Sequence, residues 1–422
     1  MNIWYFHHYG TPYEIPGLHR PFEYGTYFNR GGNKIAVFTS SYLHYSGENM
    51  IKDRQKSLLK EYDGVEAVFV KTCGYNNSKV KRVVNMAEFA LRLKSTAKHF
   101  AQTHWEPDVI IASSPDLFTL TAGLKIAKKF NVPCVCEIRD FWPEVFFLGG
   151  VISENGLIGR ALLRLERRIY EKADSVLFLK EGDHTYITDR KWDTGHGGKI
   201  DMKKCAYVNN GVDIKLFDKR MQEHVYKDAK LDNCKFTVVY CGTIRPVNNI
   251  DMLLDVAKIV GNDVQFLIFG MGNCVDDLKK RIENEHIENV YLKGYVNNQF
   301  IPSILSRSSV NILNYSGSTY NWSRGNSSNK LFEYLASGKP VLSTVKMGYD
   351  LLERYNCGYS AEHCTAEEIA NLICKIKALP REEYDVLCKN ARATAEKFDI
   401  PVLAREYLDV LKKQTREVAK NG

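Results

Sequence analysis

No stretch of the sequence approaches the roughly 18 consecutive apolar residues that a membrane-spanning helix needs. Even the uncharged segment 308–323 consists largely of Ser, Asn and Tyr. The first residues also lack the basic flank and the long apolar region of a secretory signal peptide. These absences predict a cytoplasmic protein that is either soluble or peripherally bound to a membrane.

Recognisable metal and disulfide motifs are missing as well. The 11 cysteines are odd in number, scattered and without a Cys-x-x-Cys pair, so we expect reduced thiols rather than a zinc site or a disulfide framework. There is no Asp-x-Asp sequence to bridge a metal ion to a diphosphate. We therefore expect no metal and no other cofactor.

The charge balance is too weakly basic for a dedicated nucleic-acid-binding protein. The chain has 58 Lys and Arg against 50 Asp and Glu, a formal charge of +8 and a pI of about 8.7, which suits an anionic ligand or lipid surface better than nucleic acid. A nicotinamide-dependent dehydrogenase is also disfavoured, because no Gly-x-Gly-x-x-Gly motif opens a helix after the first strand.

What the sequence does contain, along its 422 residues, is an alternation of short apolar runs with longer amphipathic segments. This pattern is typical of α/β domains, in which parallel strands are buried between two layers of helices. Strands are predicted at 3–6, 35–39, 67–70, 109–112, 134–138, 175–179, 236–240, 265–269, 290–293, 310–313 and 341–343. Helices are predicted at 86–102, 117–130, 157–172, 183–192, 250–260, 276–285 and 330–337.

A polar, glycine-containing stretch at 208–213 interrupts this alternation and indicates a domain junction. We predict an N-terminal Rossmann-like domain over 1–212 and a C-terminal Rossmann-like domain over 213–398. A C-terminal helix over 399–422 is expected to pack back on the first domain. Two doubly wound sheets of this kind are expected to face each other across a cleft, with ligands at the carboxyl ends of the strands.

The most informative motif is a run of small polar residues that precedes a helix in the C-terminal half. The backbone N–H groups of Ser327, Ser328 and Asn329, at the positive end of that helix, suit a phosphate. Lys330 is expected near the same phosphate, and the carboxylate of Glu333, one turn into the helix, suits the two hydroxyls of a ribose. A plain capped helix is the alternative explanation of these residues.

In its residues this segment resembles the nucleotide-sugar site of family 4 glycosyltransferases, which have the GT-B fold of two Rossmann-like domains. Further segments resemble the same family in chain order, namely Tyr-Cys-Gly-Thr-Ile at 240–244, Ile-Asp-Met-Leu-Leu at 250–254, Phe-Leu-Ile-Phe-Gly-Met-Gly at 266–272 and Asn-Val-Tyr-Leu-Lys-Gly-Tyr-Val at 289–296. Segments 30–40, 137–143 and 210–213 are similar to the subgroup that builds bacterial capsule, exopolysaccharide and O-antigen repeats. The resemblance covers nearly the whole chain.

The resemblance implies a nucleotide-sugar donor site in the C-terminal domain. Glu333 is implied to bind the ribose, and the chain at Tyr295 and Val296 to border the base. The diphosphate is implied to lie among Ser327, Ser328, Asn329, Lys330, Arg245, Gly242, Thr243, Gly270 and Gly272.

In the N-terminal domain, Arg139 and Asp140 follow the predicted strand 134–138 at the sheet edge expected to bind ligands. We predict that they contact the acceptor or the transferred sugar, and a loop-capping role for Asp140 is the alternative. Gly10 and Arg20, in the loop after the first strand, are further candidates, because a glycine lets the backbone approach the donor closely.

Two departures from the family pattern bear on this site. The family's usual glutamate eight positions before Glu333 is Gly325 here, which removes a side chain that by resemblance contacts the transferred sugar. Thr243 and Asn248 stand where many members carry the Arg and Lys that bind the diphosphate. The cations that can compensate are Arg245, Lys330 and Arg324.

Two predicted helices, one within 79–99 and one at 157–172, carry cations beside apolar residues. Basic amphipathic helices can lie on an anionic membrane, where a lipid-linked acceptor would be found. The alternative for each is an ordinary helix of a Rossmann-like domain with a solvated, charged face.

These observations predict a glycosyltransferase that moves a sugar from a nucleoside diphosphate, most simply UDP, to a glycan or polyprenyl-linked acceptor in cell-surface polysaccharide synthesis. The resemblance implies a metal-independent reaction that retains the anomeric configuration. A nucleotide-sugar epimerase on the same fold and a non-catalytic relative that binds a glycan or a partner remain as alternatives.

Overall fold

A computed structural model describes residues 1–76, 78–317 and 321–421. They form two compact units. Unit 1 comprises Met1–Asn209 together with the C-terminal segment that begins at Ile400, and unit 2 comprises Asn210–Asp399. The chain is thus divided after Asn209 and after Asp399, where the sequence analysis sets the boundaries after residues 212 and 398.

Each unit contains one sheet. The strands of unit 1 are β1 (Asn2–His7), β2 (Lys34–Ser40), β3 (Ser57–Tyr62), β4 (Val65–Val70), β5 (Val109–Ser113), β6 (Cys134–Ile138), β7 (Ser175–Phe178) and β8 (Cys205–Tyr207). The strands of unit 2 are β9 (Phe236–Cys241), β10 (Val264–Phe269), β11 (Val290–Gly294), β12 (Val310–Leu313), β13 (Val341–Ser343) and β14 (Gly358–Ser360).

The helices cover these sheets. They are α1 (Arg20–Arg30), α2 (Lys79–Thr103), α3 (Leu117–Phe130), α4 (Trp142–Leu148), α5 (Leu157–Lys172), α6 (Thr185–Asp189), α7 (Ile214–Glu223), α8 (Ile250–Val260), α9 (Val275–Asn284), α10 (Ile301–Ser306), α11 (Asn329–Ala336), α12 (Leu351–Arg354), α13 (Ala366–Lys377), α14 (Arg381–Lys397) and α15 (Ile400–Asn421). Within the described ranges, none combines the length and apolar character required to cross a bilayer.

The sheet of unit 1 has the strand order β3-β4-β2-β1-β5-β6-β7-β8. All neighbouring strands are parallel except β3, which pairs antiparallel with β4 at the edge. Trp4 and Phe6 point to the face covered by α2, α3 and α5. Helices α1 and α15 pack against each other elsewhere in the unit. This arrangement buries the central strands on both faces, as continuous apolar runs predict.

Unit 2 has an entirely parallel sheet in the order β11-β10-β9-β12-β13-β14. An apolar cluster joins the sheet to α8, α9 and α13. The α/β class predicted from the alternation of apolar runs is therefore confirmed, with two parallel-sheet units.

Several elements differ from the prediction. The segment 183–192 is not one helix, because a short 3-10 turn (Glu181–His184) precedes the five-residue α6. The edge strands β3, β8 and β14 carry little of the buried apolar pattern on which strand prediction relies, since only Gly358 among their residues is buried. Helices α1, α4, α7, α10, α12, α13 and α14 were also not predicted. Apolar periodicity identified the central strands and the longer helices beside them, but not every element.

A buried ion pair joins distant parts of unit 1. The Glu137 carboxylate, at 0% exposure, accepts from Arg20 Nε at 2.9 Å and from the hydroxyls of Tyr5 at 2.6 Å, Ser113 at 2.7 Å and Tyr407 at 3.2 Å. Burial alone would raise the pKa of Glu137, but Arg20 and the other donors outweigh it and lower the pKa to about 2. The carboxylate is therefore ionised and held by residues of β1, β5, α1 and α15.

We expect Arg20→Met to lower the free energy of unfolding by about 3–5 kcal/mol at pH 8, because it leaves a buried carboxylate without its cation. Urea denaturation followed by tryptophan fluorescence measures this loss. Without the cation the pKa of Glu137 rises above its unfolded value, so the loss should shrink as the pH falls toward 5.

The double variant Arg20→Met/Glu137→Gln is the matched comparison for this experiment. Removing the stranded charge should restore part of the stability that Arg20→Met loses. A double variant less stable than Arg20→Met would contradict the assigned cost of the stranded carboxylate, and the Glu137→Gln single variant completes the cycle that measures the coupling.

Candidate functional site

The candidate site of unit 2 lies where the strand order of its sheet reverses. From the central strand β9 the chain continues to β10 and β11 on one side, and it later adds β12, β13 and β14 on the other. In doubly wound sheets such a switch point opens a crevice at the carboxyl ends of the strands, where ligands bind. The predicted site residues Gly242 and Thr243 follow β9 directly.

Glycines allow the loops after β9 and β10 to lie against each other. The Gly242 N–H donates to the Phe269 carbonyl at 3.0 Å. A Cβ atom at Gly270 would lie 1.8 Å from the Gly242 carbonyl oxygen, and one at Gly272 would lie 1.8 Å from that of Ile244. The two loops can therefore approach this closely only with glycine at positions 270 and 272.

Lys330 directs its ammonium group toward the turn at Gly242. The ammonium donates to the Tyr240 hydroxyl at 3.2 Å and lies 4.9 and 5.2 Å from the ring centroids of Tyr240 and Tyr315. In the amide orientation that satisfies its neighbours, Asn248 accepts from the same ammonium at 3.3 Å. In the parts of the chain that the structure describes, no carboxylate forms an ion pair with it.

The protonation of Lys330 reflects this environment. Burial lowers the pKa of its ammonium, the charge of Arg245 lowers it further, and the result is a pKa of about 8 despite opposing contributions from Cys241 and Glu333. A poorly solvated cation of this kind is costly unless an anion is bound beside it. The arrangement therefore suits an anionic ligand.

The beginning of α11 lies next to this cation. The cap residue Ser328 makes no side-chain hydrogen bond to the helix backbone, and its hydroxyl instead accepts from the Tyr315 hydroxyl at 2.8 Å. Ser327 is half-buried and Asn329 is exposed. Because Tyr315 also borders Lys330, the predicted residues before α11 and the lysine belong to one cluster, at the positive end of the helix dipole.

Glu333 and Arg245 belong to the same cluster. Glu333 is half-buried one turn into α11, and its charge acts on the Cys241 thiol and on Lys330. Arg245 is exposed at the start of the short turn after the β9 loop. Thr243, also exposed, completes the set of residues that surround the end of β9.

Tyr295 and Val296 lie farther along the same edge of the sheet. They follow β11, whose last residue Gly294 accepts at its carbonyl from the Gly270 N–H at 2.7 Å. Tyr295 is 72% exposed and Val296 is half-buried. The structure thus places them beside the β10 loop, two strands away from β9, rather than in the Lys330 cluster.

Gly325 has a backbone conformation that accounts for the absence of a side chain. Its φ of 98° and ψ of −166° fall in a region that is essentially restricted to glycine. The residue is buried, and a Cβ atom would lie 3.3 Å from the Gly348 carbonyl oxygen. A glutamate, which the family pattern leads us to expect here, would need a different local backbone.

Two residues that border the cation escaped the sequence analysis as site residues, namely Tyr240 and Tyr315. Each stands within two residues of the carboxyl end of its strand, β9 or β12. Strands β9 and β12 flank the switch point. The position of each tyrosine near the carboxyl end of one of these strands was therefore the signal that could have identified it as a site residue. Their contact with Lys330 depends on how α11 packs, which no local pattern specifies.

In unit 1, Arg139 and Asp140 follow β6, as predicted. The guanidinium of Arg139 lies 2.6 Å from Nε2 of His7, and its backbone N–H donates to the Ser114 hydroxyl at 2.8 Å. Burial and the charge of Arg139 lower the pKa of His7 well below its ordinary value, so the ring beside this guanidinium is neutral. Asp140 is exposed. The ends of β1, β5 and β6 thus hold a positioned cation beside an exposed carboxylate.

Arg20 requires a correction. It is not a loop residue but the first residue of α1, where it is 4% exposed. Besides Glu137, its guanidinium donates to the carbonyls of Val208 at 3.0 Å and Asn209 at 2.8 Å. Its role is structural, because these partners and burial leave it inaccessible to a ligand.

Gly10 is buried after β1, and a Cβ atom there would lie 2.8 Å from the Pro21 side chain. This contact gives the glycine a packing role against the start of α1. Its predicted approach to a donor stays a prediction.

Potential metal ligands are dispersed in the described residues. None of the 11 cysteines is in a disulfide, and no group of three or more His, Cys, Asp or Glu side chains within 1–76, 78–317 and 321–421 is placed to hold a metal ion. The metal-independent reaction expected from the sequence stays a prediction.

Two family models match the chain, one in each unit. The model described as glycosyl transferases group 1 matches residues 222–394, within unit 2. The model described as glycosyl transferase 4-like domain matches residues 53–196, within unit 1. Together they cover more than half of the chain, and the first includes every residue of the Lys330 cluster.

Two curated relatives are similar over shorter segments. The poly(ribitol-phosphate) alpha-N-acetylglucosaminyltransferase of Staphylococcus aureus is 29% identical over 31% of this chain and 26% of its own length. The putative teichuronic acid biosynthesis glycosyltransferase TuaH of Bacillus subtilis is 28% identical over 42% of each chain. The chain therefore matches less than half the length of either relative.

Solved structures match over nearly the full length. HepE of Anabaena in complex with UDP superposes with a TM-score of 0.68 at 17% identity, over 98% of this chain and 100% of that one. The same protein in complex with UDP-glucose gives a TM-score of 0.65 over the same shares. At this identity the likeness shows the fold, which is that of GT-B glycosyltransferases, as the sequence resemblance implies.

We expect Gly325→Ala to lower the unfolding free energy of unit 2 by about 1–3 kcal/mol, because alanine is strained at this φ and ψ. Gly325→Glu should cost at least as much, since the strain belongs to the backbone. Denaturation followed through the fluorescence of the nearby Trp322 measures both losses.

Gly317→Ala serves as the control, because a Cβ atom there makes only ordinary contact, 3.6 Å from Cys364 Cβ. Equal stability of the alanine variants at 325 and 317 would contradict the assigned strain.

Proposed function

Because the chain belongs to the family 4-like, group 1 glycosyltransferases with the GT-B fold, we propose that it transfers a sugar from a nucleoside diphosphate, UDP, to a glycan or polyprenyl-linked acceptor. The acceptor belongs to the synthesis of a cell-surface polysaccharide, such as a capsule, exopolysaccharide or O-antigen. The reaction takes place at the cytoplasmic side of the membrane.

The observation that carries this proposal is the poorly solvated ammonium of the half-buried Lys330. It lies at the switch point of the sheet, near the rings of Tyr240 and Tyr315, and its hydrogen-bond acceptors among the described residues are neutral. The positive end of α11 and the charge of Arg245 add to the same positive potential. A diphosphate would supply the negative charge that this positive end of the cluster suits.

The ammonium of Lys330 can replace the positive charges that are missing at positions 243 and 248. Thr243 and Asn248 carry no charge where many family members have Arg and Lys, yet the Lys330 ammonium lies 3.3 Å from the Asn248 side-chain oxygen. A lysine from α11 therefore delivers its charge beside position 248. We assign Lys330 as the main diphosphate-binding cation, with Arg245 as the second.

The remaining contacts to the nucleotide-sugar are assigned from the positions of the other residues along the same edge of the sheet. Ser327, Ser328 and Asn329 offer backbone N–H groups to the diphosphate, and Glu333 accepts from the ribose hydroxyls. Tyr295 and Val296 border the base, two strands away. UDP as the nucleotide is supported by the UDP and UDP-glucose complexes of the structurally similar HepE.

We propose transfer with retention of configuration and without a metal ion. The bond between C1 of the sugar and the β-phosphate oxygen of UDP breaks, and C1 bonds to the acceptor oxygen on the same face. The acceptor's proton passes to the departing phosphate oxygen. Lys330 stabilises the negative charge that develops on the diphosphate, as preorganised donors do for an oxyanion.

Acceptor chemistry is proposed from unit 1 and from the relatives. Arg139 is held by His7 and Ser114 beside the exposed Asp140, so this strand end offers a positioned cation and a carboxylate to a hydroxyl-bearing acceptor. The two curated relatives are named for cell-wall polymers, poly(ribitol phosphate) and teichuronic acid. Both facts favour a polyhydroxylated polymer or its lipid-linked precursor.

We expect the affinity for UDP to fall as the pH rises above about 8, because the free protein then loses the Lys330 proton that the bound diphosphate requires. The fall should reach up to about tenfold per pH unit, the limit for one linked proton. Titration calorimetry from pH 7 to 9.5, in buffers of different ionisation enthalpy, measures affinity and proton uptake together.

Lys330→Met keeps much of the side-chain volume and removes the charge. It should weaken UDP binding by about 1.5–3 kcal/mol, the usual contribution of a hydrogen bond to a charged group, and abolish proton uptake. Lys280→Met, at an exposed lysine of α9, is the control and should behave like wild type. Unchanged UDP affinity in Lys330→Met would refute the assignment.

We expect Asp140→Asn to lower transfer by about 10- to 100-fold while UDP affinity stays within about twofold, because Asp140 acts on the acceptor side. The assay supplies labelled UDP-glucose or UDP-N-acetylglucosamine with polyprenyl phosphate or poly(ribitol phosphate). Release of UDP and label on the acceptor are both measured, and EDTA should have no effect.

The products also separate the alternative functions. An epimerase would return an isomerised sugar still attached to UDP. A non-catalytic relative would bind UDP without turnover of any donor. Either outcome would overturn the proposed transfer, whereas transfer unaffected by Asp140→Asn would overturn only the role of that residue.

A further inference from the structure

The chain that leaves β12 contacts two separate elements of the Lys330 cluster. It consists of Asn314, Tyr315 and Ser316 and is called here the β12 segment. In the sheet, β12 is the neighbour of β9 at the switch point. The β12 segment contacts the turn after the β9 loop, residues 245–249, and it also contacts the start of α11, which carries Lys330.

The first contact is a set of hydrogen bonds to the backbone of the turn. The amide nitrogen of the Asn314 side chain donates to the carbonyls of Asn248 and Asn249, in each case at 2.7 Å. The backbone N–H of Ser316 donates to the Val247 carbonyl at 2.9 Å. Three consecutive carbonyls of the turn are thus bound by the β12 segment.

Burial makes Asn314 a rigid support for the turn. The residue is 0% exposed, and its side-chain oxygen has no hydrogen-bond partner among the described residues. A buried oxygen without a partner costs free energy. The interactions that compensate this cost are the two bonds donated by the amide nitrogen, and an aliphatic side chain of similar size would remove both.

The 245–249 turn carries two groups that act on the cation of the proposed site. Asn248 is 3% exposed, and its side-chain oxygen accepts from the Lys330 ammonium at 3.3 Å. Arg245 is the first residue of the turn, and its charge lowers the pKa of the same ammonium. Because Asn314 holds the backbone of the turn, it determines where both groups stand relative to the ammonium.

The second contact of the β12 segment is to the start of α11. The Tyr315 hydroxyl donates to the Ser328 hydroxyl at 2.8 Å, and the Tyr315 ring lies 5.2 Å from the Lys330 ammonium. The backbone N–H of Tyr315 donates to the Thr344 hydroxyl at 3.0 Å. Thr344 is 0% exposed and follows β13, the next strand of the sheet. The β12 segment is therefore anchored in the sheet while it holds the two cation-bearing elements.

We propose that Asn314 is a positioning residue of the donor site, which holds the 245–249 turn in place for a bound diphosphate. It keeps Arg245 and Asn248 near the ammonium of Lys330. A turn that is already held need not be ordered when the ligand binds, and this preorganisation raises affinity. The inference rests on the proposed function, because it assigns a further residue to the same site.

The chain offers a matched control three residues earlier, on β12 itself. Asn311 is also 0% exposed, and its side-chain oxygen also has no hydrogen-bond partner among the described residues. Its amide nitrogen donates to the Leu305 carbonyl at 3.3 Å and to the Ser337 hydroxyl at 2.9 Å. Neither partner belongs to the 245–249 turn. Asn311→Ala is therefore the same substitution at the same burial without an effect on the turn.

The first measurement is the UDP affinity of wild type and both variants by titration calorimetry at pH 7. Asn314→Ala should weaken UDP binding by on the order of tenfold, because the loosened turn must be ordered on binding. Asn311→Ala should stay within about twofold of wild type, although urea denaturation should show that it also loses stability. Equal affinities of the two variants would overturn the proposal. Absence of UDP binding by the wild type would refute the proposed function, and this inference with it.

The pH profile of UDP binding separates positioning from a general loss of stability. The charged or titratable groups around the Lys330 ammonium are Arg245, Cys241, Glu333, Tyr240 and Tyr315. Burial and the charge of Arg245 lower the pKa of Lys330 to about 8, and both act less once the turn is loose. In Asn314→Ala the pH above which affinity falls should therefore move upward. A profile that is unchanged, as expected for Asn311→Ala, would overturn the proposal.

Hydrogen exchange of the protein without ligand follows the turn directly. The N–H groups of Asn248 and Asn249 donate to carbonyls within the turn, at 2.8 and 3.0 Å. They should exchange faster by on the order of tenfold in Asn314→Ala, because the turn then opens locally, and at the wild-type rate in Asn311→Ala. Unchanged exchange in Asn314→Ala would overturn the assignment, whatever the affinity for UDP.

A second pair of variants, Asn314→Ser and Asn311→Ser, keeps a hydroxyl at each position and applies if the alanine variants do not fold. The same difference between the two positions is expected, with a smaller size. Wild-type affinity and wild-type exchange of the turn in Asn314→Ser would contradict the proposal.

Discussion

The buried carboxylate of Glu137 constrains the structure of unit 1, because an ionised group without water must be neutralised by the protein itself. Arg20 supplies the charge and Tyr5, Ser113 and Tyr407 supply hydrogen bonds. These partners come from both ends of the chain. The ion pair and its hydrogen bonds therefore fix the start of α1 and the Tyr407 turn of α15 against the sheet, and they anchor β6 two residues before Arg139.

Lys330 is a second charged group with little access to water, but the protein compensates its charge differently. Its ammonium is also withdrawn from water, yet its contacts are the hydroxyl of Tyr240, the Asn248 amide and two aromatic rings, and its pKa falls to about 8. The protein neutralises Glu137 and leaves Lys330 a poorly compensated cation. One of the two charges is thus part of the architecture, whereas the other is the cation to which the proposed function assigns a bound anion.

The extent to which the sequence predicts these features follows from how local each signal is. Helix Leu117–Phe130 and strands Cys134–Ile138 and Val310–Leu313 have the predicted bounds because apolar periodicity is a local property. Lys330 and Glu333 were predicted as site residues from a local motif too, and the structure places both near the end of β9. Arg20 was not understood, because its partner lies 117 residues away, and the rings around Lys330 come from two other strands. Such contacts depend on packing that a single sequence does not encode in any one window.

The two departures from the family pattern, at positions 325 and 248, have different structural explanations. Gly325 is a conformational requirement, since its φ and ψ strongly disfavour a side chain, so a glutamate at this position would need a different local backbone. Asn248 is a neutral contact instead, because its side-chain oxygen accepts from the ammonium of Lys330. In the proposed site the positive charge therefore comes from Lys330, in the first turn of α11, and from Arg245, after the β9 loop.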